Sequence, residues 1–210
     1  MTERWPGEVG DEPAREDGAP DEDAEAYDAI PASDEVVAAE APQHASGALD
    51  IPEDVDVLEG EPGPTRRSVA IVVSKFNGEI TSKLLASALE ELDRLEVDRG
   101  RLVVVPVPGA FELPLAAMAL AKTRRYTCVV ALGCVIRGET PHFDYVASEA
   151  ASGLQVAALE TGVPVAFGVL TTETAEQAEA RTAKGAEAVR TALEMADLFS
   201  HLRRTATAQA

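Results

Sequence analysis

The sequence predicts an α/β fold in which helices cover both faces of a small parallel sheet. Short apolar runs rich in Val recur between residues 68 and 170, and a segment with helical periodicity follows each of them. Strands that are covered on both faces are apolar throughout, as these runs are. Connections of helical length, crossing over with the usual right hand, place such strands parallel to one another.

The first half of this region predicts two strands joined by a helix. Residues 68–74, SVAIVVS, are almost entirely apolar and predict the first strand. After the turn KFNGEI, apolar residues recur at every third or fourth position, which is typical of one face of a helix. They are Ile80, Leu84, Ala88, Leu92 and Leu95. Gly100 ends the connection, and residues 102–107, LVVVPV, predict the second strand.

The second half adds two strands and three helical segments. The predicted elements are a helix ending near Lys122, a strand at 129–132, a helix at about 142–161, a strand at 163–170 and a last helical segment ending near Leu202. Thr174 and Gln177 have the spacing of a capping box at the start of this last segment. The order of elements predicts a flavodoxin-like three-layer αβα sandwich with a four-stranded parallel sheet.

The acidity of the chain is concentrated at its N-terminal end. The net charge is −19, and residues 1–64 contain 20 acidic residues and only two Arg. Residues 1–53 lack a sustained apolar period, so we expect a disordered acidic extension, either a solubilising segment, which we favour, or a charged brush on an assembly. We expect a short edge strand and a linker at 54–64, the folded domain at 65–204 and a disordered C-terminal tail at 205–210.

Composition argues against several classes of function. Beyond residue 64 the chain has 16 basic and 17 acidic residues, so we expect no nucleic-acid binding. No run approaches the roughly 20 apolar residues of a membrane span, and the N-terminus lacks the layout of a signal peptide. We therefore expect a cytoplasmic protein that does not bind membranes. The spacing of Cys128 and Cys134 fits two free buried thiols, and we predict neither a metal site nor a nucleotide cofactor.

Candidate functional residues follow each predicted strand. The carboxyl ends of parallel strands meet at one edge of a sheet, where α/β proteins bind ligands. The turns SKFNG, VPGAFE, GCVIRGETPH and FGVLTTE bring Phe76, Phe111 and Phe167 to this edge, and their rings suit a flat heterocycle. Glu112 is either a charge at a helix start or an acceptor for ring N–H groups, and the sequence favours neither reading.

His142 is the candidate for proton transfer, because histidine can donate and accept protons near neutral pH. It follows a strand and lies two residues before Asp144; a structural helix cap is the alternative. Arg137 and Arg181 are candidate anion ligands, although we favour a surface ion pair for Arg137 and a solvated helix face is the plainer reading of Arg181. Residues 138–140, GET, precede a helix and have the character of a phosphate cradle.

Together these motifs closely resemble the lumazine synthase family of riboflavin biosynthesis. The matching segments lie in register from about residue 54 to 202 and include VVSKFN, VPGAFELP, LGCVIRG, HFDYV, GVPVAFGVLTTE and ALEMADL. The family has the flavodoxin-like sandwich predicted above. Its members are transferases that condense 5-amino-6-(D-ribitylamino)uracil with 3,4-dihydroxy-2-butanone 4-phosphate, without cofactor or metal. The resemblance implies this reaction for the chain.

The resemblance also implies a role for each matching residue. Those that would bind the ribitylaminouracil are Phe76, Ala110, Phe111, Glu112, Cys134, Val135, Ile136 and, from a neighbouring subunit, Phe167. Those that would bind the butanone phosphate are Glu139, Thr140 and, from the adjacent subunit, Arg181, with Lys184 as a further candidate. His142 would be the catalytic proton-transfer residue.

The resemblance further implies a homopentamer, with assembly into a 60-subunit icosahedral shell as a further step and riboflavin synthase as a candidate partner. One segment departs from the family pattern: RTAKG at 181–185 replaces a longer loop of the form RAGxxxGNKG. This departure leaves a second hypothesis, a flavin- or pyrimidine-binding shell protein whose phosphate site is impaired. A riboflavin synthase of the archaeal type ranks lower, because GAFELP and HFDYV fit lumazine synthase better.

Overall fold

A computed structural model of the protein describes residues 49–65 and 67–208. It contains one parallel sheet of four strands, in the order β2-β1-β3-β4. The strands are β1 (Ser68–Ser74), β2 (Leu102–Val107), β3 (Tyr126–Ile136) and β4 (Val165–Thr172). The α-helices are α1 (Gly78–Arg94), α2 (Leu113–Lys122), α3 (His142–Thr161), α4 (Ala175–Glu179) and α5 (Lys184–Ala208). The predicted α/β sandwich is confirmed.

The central strand β1 shows why the sheet is covered on both faces. Its residues alternate between two apolar clusters, because successive side chains of a strand point to opposite faces. Val69, Ile71 and Val73 pack in the cluster that includes residues of α1 and α5. Ala70 and Val72 pack in the cluster that includes residues of α2 and α3. Both faces are therefore buried, as the unbroken apolar run predicts.

β3 and β4 end later than predicted. The predicted third strand stops at Leu132, but β3 continues to Ile136 because residues 133–136 pair with residues 169–172 of β4. The residues from Gly133 to Ile136 carry no charge, so the polar loop begins only at Arg137. β4 is shifted by two residues from the predicted 163–170. This places Cys134, Val135 and Ile136 on a strand, and not in the predicted loop.

The segment before β1 also differs from the prediction. Residues 54–64 form no strand in this structure, and Val55 and Val57 are about half exposed. The chain instead lies against α5: a Cβ on Gly60 would be 2.1 Å from the Glu194 carbonyl oxygen. The Glu61 N–H donates to Asp197 Oδ2 at 3.1 Å. The alternating residues Val55 and Val57 thus belong to an irregular segment, part of which packs on α5.

The structure bears differently on the two predicted disordered tails. Residues 49–53 contain no helix or strand, and the expectation of disorder for residues 1–48 lies outside the described residues. At the other end α5 runs to Ala208, past the predicted limit at Leu202 and into the tail predicted at 205–210. Residues 203–208 contain neither Gly nor Pro, so nothing in the sequence stops the helix there. No helix among the described residues has the length and apolar character that crossing a bilayer requires.

The last helical segment is broken into α4 and α5. The predicted cap at its start is present, since the Gln177 N–H donates to Thr174 Oγ1 at 3.3 Å. The reciprocal bond differs from a standard capping box: Gln177 Oε1 accepts from the N–H of Glu173, and not from that of Thr174. After the break, Gly185 lies against α1, and a Cβ there would be 2.1 Å from the Leu84 carbonyl oxygen. Glycine therefore permits the close crossing of α1 and α5.

A buried carboxylate also joins α1 to α5. Glu91 is 6% exposed and accepts hydrogen bonds from Arg94 at 2.6 and 2.9 Å and from Arg190 at 2.9 Å. The Arg94 hydrogen bond, together with the bond and charge of Arg190, lowers the pKa of Glu91 to about 2 against the opposing effect of burial. A group whose pKa is lowered by folding stabilises the native state above its unfolded pKa.

We expect Glu91→Gln to lower the free energy of unfolding by about 2 kcal/mol at neutral pH. The contribution of Glu91 is fully present above its ordinary pKa of 4.5 and is lost as the pH falls towards about 2. The difference between the variant and the unchanged protein should therefore shrink over this range. Urea unfolding at several pH values measures it, with the exposed neighbour changed in Glu90→Gln as the control. An unaltered pH dependence in Glu91→Gln would contradict the assignment.

Candidate active site

A cavity of about 540 Å³ lies at the carboxyl edge of the sheet, beyond the ends of β1, β2 and β3. Its size suits a small-molecule ligand. Nine of the predicted site residues line it: Phe76, Ala110, Phe111, Glu112, Cys134, Val135, Ile136, Thr140 and His142. The structure therefore brings together three of the four predicted strand-end turns, and the fourth, which follows β4, does not reach the cavity wall.

A larger cavity, of about 690 Å³, opens on the opposite side of the fold, between α5 and a stretch that includes residues 61–65 and Arg67. Its wall includes Thr127, which lies near the beginning of β3. This cavity is therefore at the amino-terminal edge of the sheet. None of the described residues in its wall is aromatic or a histidine. Parallel α/β sheets bind ligands beyond the carboxyl ends of their strands. We therefore assign the functional site to the smaller, aromatic cavity.

The turn between β1 and α1 presents Phe76 to the cavity. The Phe76 side chain is 68% exposed, while its backbone N–H donates to the Pro108 carbonyl at 3.1 Å. Asn77 follows in the left-handed region, with φ of 55°, and its Nδ2 donates to the Cys134 carbonyl at 2.9 Å. Asn is among the residues that tolerate this conformation. Sequence reasoning missed Asn77, although Asn before Gly in a turn is a signal for left-handed backbone.

Glu112 lies in a single turn of 3₁₀ helix, Ala110–Glu112, after β2. Its Oε2 accepts from the Gly109 N–H at 2.8 Å, which closes the turn. Glu112 also lines the cavity, between Phe111 and the start of α2. The sequence left two interpretations of Glu112 open, and the structure shows the first of them, a charge at a helix start. The contact with a ligand ring stays a prediction.

Arg137 is the first residue after β3, and its guanidinium forms the predicted ion pairs. Nη1 and Nη2 donate to the two carboxylate oxygens of Asp144 at 3.2 and 3.1 Å, and Nε lies 2.9 Å from Glu173 Oε2. These hydrogen bonds, that of Asp144 foremost, raise the pKa of Arg137 above its ordinary value. The guanidinium also stacks 4.2 Å from the centre of the Phe143 ring. The side-chain fork is thus bound within the chain.

His142 is the first residue of α3, follows Pro141, and its exposed side chain lines the cavity. The carboxylate of Asp144 forms its ion pair with Arg137. Gly138 and Thr140 also line the cavity, whereas Glu139 is exposed and does not. The segment 138–140 thus lies between a strand end and a helix start, where backbone N–H groups bind anions. Tyr145, one helical turn beyond His142, also lines the cavity and was missed from the sequence.

Phe167, Arg181 and Lys184 do not line this cavity. Phe167 is the third residue of β4, not a residue of the turn after it, and is 47% exposed beside Lys184 in a separate depression of about 140 Å³. Arg181 Nη1 donates to the Gln177 carbonyl at 2.8 Å, and Lys184 Nζ pairs with Glu187 at 2.6 Å. In this chain alone, these three side chains therefore lie apart from the residues with which they are predicted to act.

Both cysteines are free and buried. Burial raises the pKa of the Cys128 thiol to about 12 and that of the Cys134 thiol to about 11. Cys134 lines the cavity, but such a thiol stays protonated at neutral pH and is a poor nucleophile. No group of His, Cys, Asp and Glu within the described part of the chain has an arrangement that would hold a metal ion. The chemistry available in the cavity is therefore stacking, hydrogen bonding and proton transfer.

Comparison with known proteins identifies the family to which the chain is similar. The family model described as 6,7-dimethyl-8-ribityllumazine synthase matches residues 66–200. Proteins named 6,7-dimethyl-8-ribityllumazine synthase from Yersinia pestis (strain Pestoides F) and Yersinia pseudotuberculosis (serotype O:1b, strain IP 31758) are each 49% identical to the chain over 155 residues. Each match covers 71% of this chain and 99% of the relative. The matched region contains the sheet and the whole cavity.

Proposed function

The chain belongs to the 6,7-dimethyl-8-ribityllumazine synthase family, a family of transferases in riboflavin biosynthesis, and we propose that it condenses 5-amino-6-(D-ribitylamino)uracil with 3,4-dihydroxy-2-butanone 4-phosphate. The products are 6,7-dimethyl-8-ribityllumazine, phosphate and water, and the reaction is the penultimate step of the pathway. The observation that carries the proposal is the aromatic cavity, which His142 lines together with Gly138 and Thr140 from the loop before it.

The pyrimidine end of the cavity has the shape and chemistry for a flat ring with a polyol chain. The Phe76 ring is exposed to the cavity, so it offers a face on which the uracil stacks. Ala110, Phe111 and Glu112 contact the ring and the ribityl chain. Backbone groups of Cys134, Val135 and Ile136 contribute hydrogen bonds from the end of β3. Phe167 of a neighbouring subunit closes this end.

The phosphate end begins where β3 ends. The N–H groups of Glu139 and Thr140 bind the phosphate of the butanone, as N–H groups before a helix bind anions. Arg181 reaches the same phosphate from the adjacent subunit, since a guanidinium can bind two phosphate oxygens. Lys184 supplies a second cation. His142, at the start of α3, follows two residues after Thr140 and lines the same cavity.

The proposed reaction needs alignment and proton transfer more than strong activation. The 5-amino group of the pyrimidine attacks the ketone, and loss of water gives an imine. Phosphate then leaves, the ribitylamino nitrogen closes the ring, and a second dehydration gives the product. His142 moves protons in these steps. Because the two substrates are held side by side, much of the acceleration comes from proximity. No cofactor or metal enters the reaction.

The proposed site is completed by assembly. Phe167 and Arg181 lie outside the cavity of their own chain, which supports a homopentamer in which each subunit supplies them to its neighbour. Sedimentation of the full chain tests this: a monomer at the concentrations at which it turns over substrate would contradict it. A 60-subunit shell, a complex with riboflavin synthase and a cytoplasmic location are further parts of the proposal, and they follow from the family relationship.

The test of the function is a stopped assay of the purified full chain with both substrates, which follows the absorbance and fluorescence of the lumazine product. We expect product formation well above the uncatalysed condensation. The same mixture without protein gives the background rate. A rate equal to that background, with the protein folded and assembled, would contradict the proposed function.

The second candidate function is a flavin- or pyrimidine-binding shell protein with an impaired phosphate site. One observation favours it: Arg181 and Lys184 both have partners within their own chain, Gln177 and Glu187. Titration of riboflavin and of the ribitylaminouracil against protein fluorescence separates the two functions. Binding of either compound without turnover would support the second candidate, and turnover would exclude it.

A further inference from the structure

Arg137 holds together three elements beside the cavity. Its backbone N–H donates to the Thr172 carbonyl at the end of β4 at 2.9 Å. Its fork binds both oxygens of Asp144 in the first turn of α3, and its Nε binds Glu173 just after β4. The end of β3, the end of β4 and the start of α3 thus meet at one side chain.

The segment between Arg137 and α3 is the one that carries the phosphate end of the proposed site. It contains Gly138 and Thr140, which line the cavity, and it leads directly into His142. Arg137, which directly precedes the segment, is fixed to β4 by its backbone hydrogen bond to Thr172, and Asp144, two residues after His142, is fixed by the fork. Both ends of this four-residue loop, 138–141, are therefore tied to the same guanidinium-bearing residue.

We propose that Arg137 is a positioning residue for phosphate binding and for His142: its fork fixes the start of α3 relative to β3 and β4, and so fixes the conformation of residues 138–142. Arg137 itself does not line the cavity, so it acts through the loop and not by touching the substrates. This inference rests on the proposed function, since it concerns the phosphate end and the proton-transfer residue assigned there.

A purely stabilising role for Arg137 does not account for its placement. The side chains of Arg137, Asp144 and Glu173 are 39%, 58% and 60% exposed, and exposed ion pairs contribute little to global stability. Their geometric effect is larger, because a bidentate fork defines direction as well as distance. A small misplacement of a catalytic group can slow a reaction severely even when the fold is intact. Rate and phosphate affinity should therefore respond far more than the melting temperature.

The first experiment titrates the full chain with inorganic phosphate by calorimetry, and separately with 5-amino-6-(D-ribitylamino)uracil. We expect Arg137→Gln to weaken phosphate binding about tenfold and to lower kcat by about 10–100-fold. Pyrimidine affinity should stay within about twofold, because Phe76, Phe111 and Glu112 belong to other turns. Arg137→Lys keeps the charge but not the fork, so it should restore only part of the loss.

Asp144→Asn separates positioning from simple charge. This change removes a negative charge near the phosphate end and leaves the Arg137 cation in place. If Arg137 acted only through its charge, phosphate would bind more tightly to the variant. If the fork positions the loop, phosphate binds more weakly, and the Arg137→Gln/Asp144→Asn double variant is no worse than either single variant.

Arg99→Gln is the matched control. Arg99 forms a comparably exposed fork with Asp93, with Nε to Oδ1 at 2.8 Å, but neither residue lines the cavity. We expect this control to leave phosphate affinity and kcat unchanged. Tighter phosphate binding by Asp144→Asn, full activity of Arg137→Gln, or no phosphate binding by the unchanged protein would each overturn the proposal. Phosphate titration does not require turnover, so it decides the matter even if the assay shows the proposed function to be wrong.

Discussion

Replacing His142 with Ala should slow formation of the lumazine about 10–1,000-fold at saturating concentrations of both substrates. His142 opens α3 with its side chain exposed in the cavity wall, which leaves the imidazole free to exchange protons with bound substrates. The expected loss extends below the usual range for general acid–base catalysis, because an amine and a ketone condense readily once they are aligned.

The measurement is steady-state kinetics of His142→Ala with both substrates varied in turn. His201→Ala is the matched control, since His201 lies near the end of α5, contacts Asp197 and does not line the cavity. Pyrimidine affinity should be unchanged in both variants. If kcat of His142→Ala equals that of the unchanged protein, His142 is not the proton-transfer residue, and Tyr145, which lines the same cavity, becomes the next side chain to test.

Replacing Gly185 with Ala should lower the free energy of unfolding by about 3 kcal/mol, the upper end of the usual cost of overpacking. The new Cβ would lie 2.1 Å from the Leu84 carbonyl oxygen and 3.0 Å from the carbonyl carbon. Both are backbone atoms of the facing helix, so no side chain can rotate away. α1 and α5 would have to separate, and their separation would loosen the packing of Val189 and Leu193 against the sheet.

Thermal unfolding of Gly185→Ala measures the effect, and we expect the melting temperature to fall by about 6–12 °C. Gly78→Ala is the control: Gly78 also lies at the start of a helix, but a Cβ there meets nothing within 4 Å. That variant should be as stable as the unchanged protein or slightly more stable, because Ala favours a helix. Equal melting temperatures for the two variants would mean that α1 and α5 do not approach as closely as described.

The strands and most of the site could be predicted because both depend on patterns along the chain. The unbroken apolar run at 68–74 indicates a strand buried on both faces, and that strand is present. The order of elements then places three strand-end turns at one edge of the sheet, because this location depends on the parallel topology and not on side-chain contacts. Phe76, Glu112 and His142 lie in the same cavity for this reason.

What could not be predicted depends on partners far apart in the sequence. The end of β3 at Ile136 depends on its pairing with Thr172, and the uncharged run from Gly133 to Ile136 permits this pairing without identifying the partner. The carboxamide of Asn77 binds a carbonyl 57 residues away, and Gly60 is required by the backbone of α5. A residue with a proposed role in a neighbouring subunit, such as Phe167, has its partners in another chain. The pattern along one chain therefore cannot indicate those partners.

The two buried thiols give the molecule two internal reporters of its own opening. Both side chains are buried, with at most 2% of their surface exposed, so an alkylating reagent reaches them only through transient exposure. Cys128 lies near the start of β3, in the apolar cluster that includes residues of α1 and α5, whereas Cys134 lies at the cavity wall, where Asn77 donates to its carbonyl. Labelling of Cys134 should therefore report local opening of the cavity and should slow when a ligand fills it. Labelling of Cys128, whose side chain has no exposed surface, should require a much larger opening of the domain.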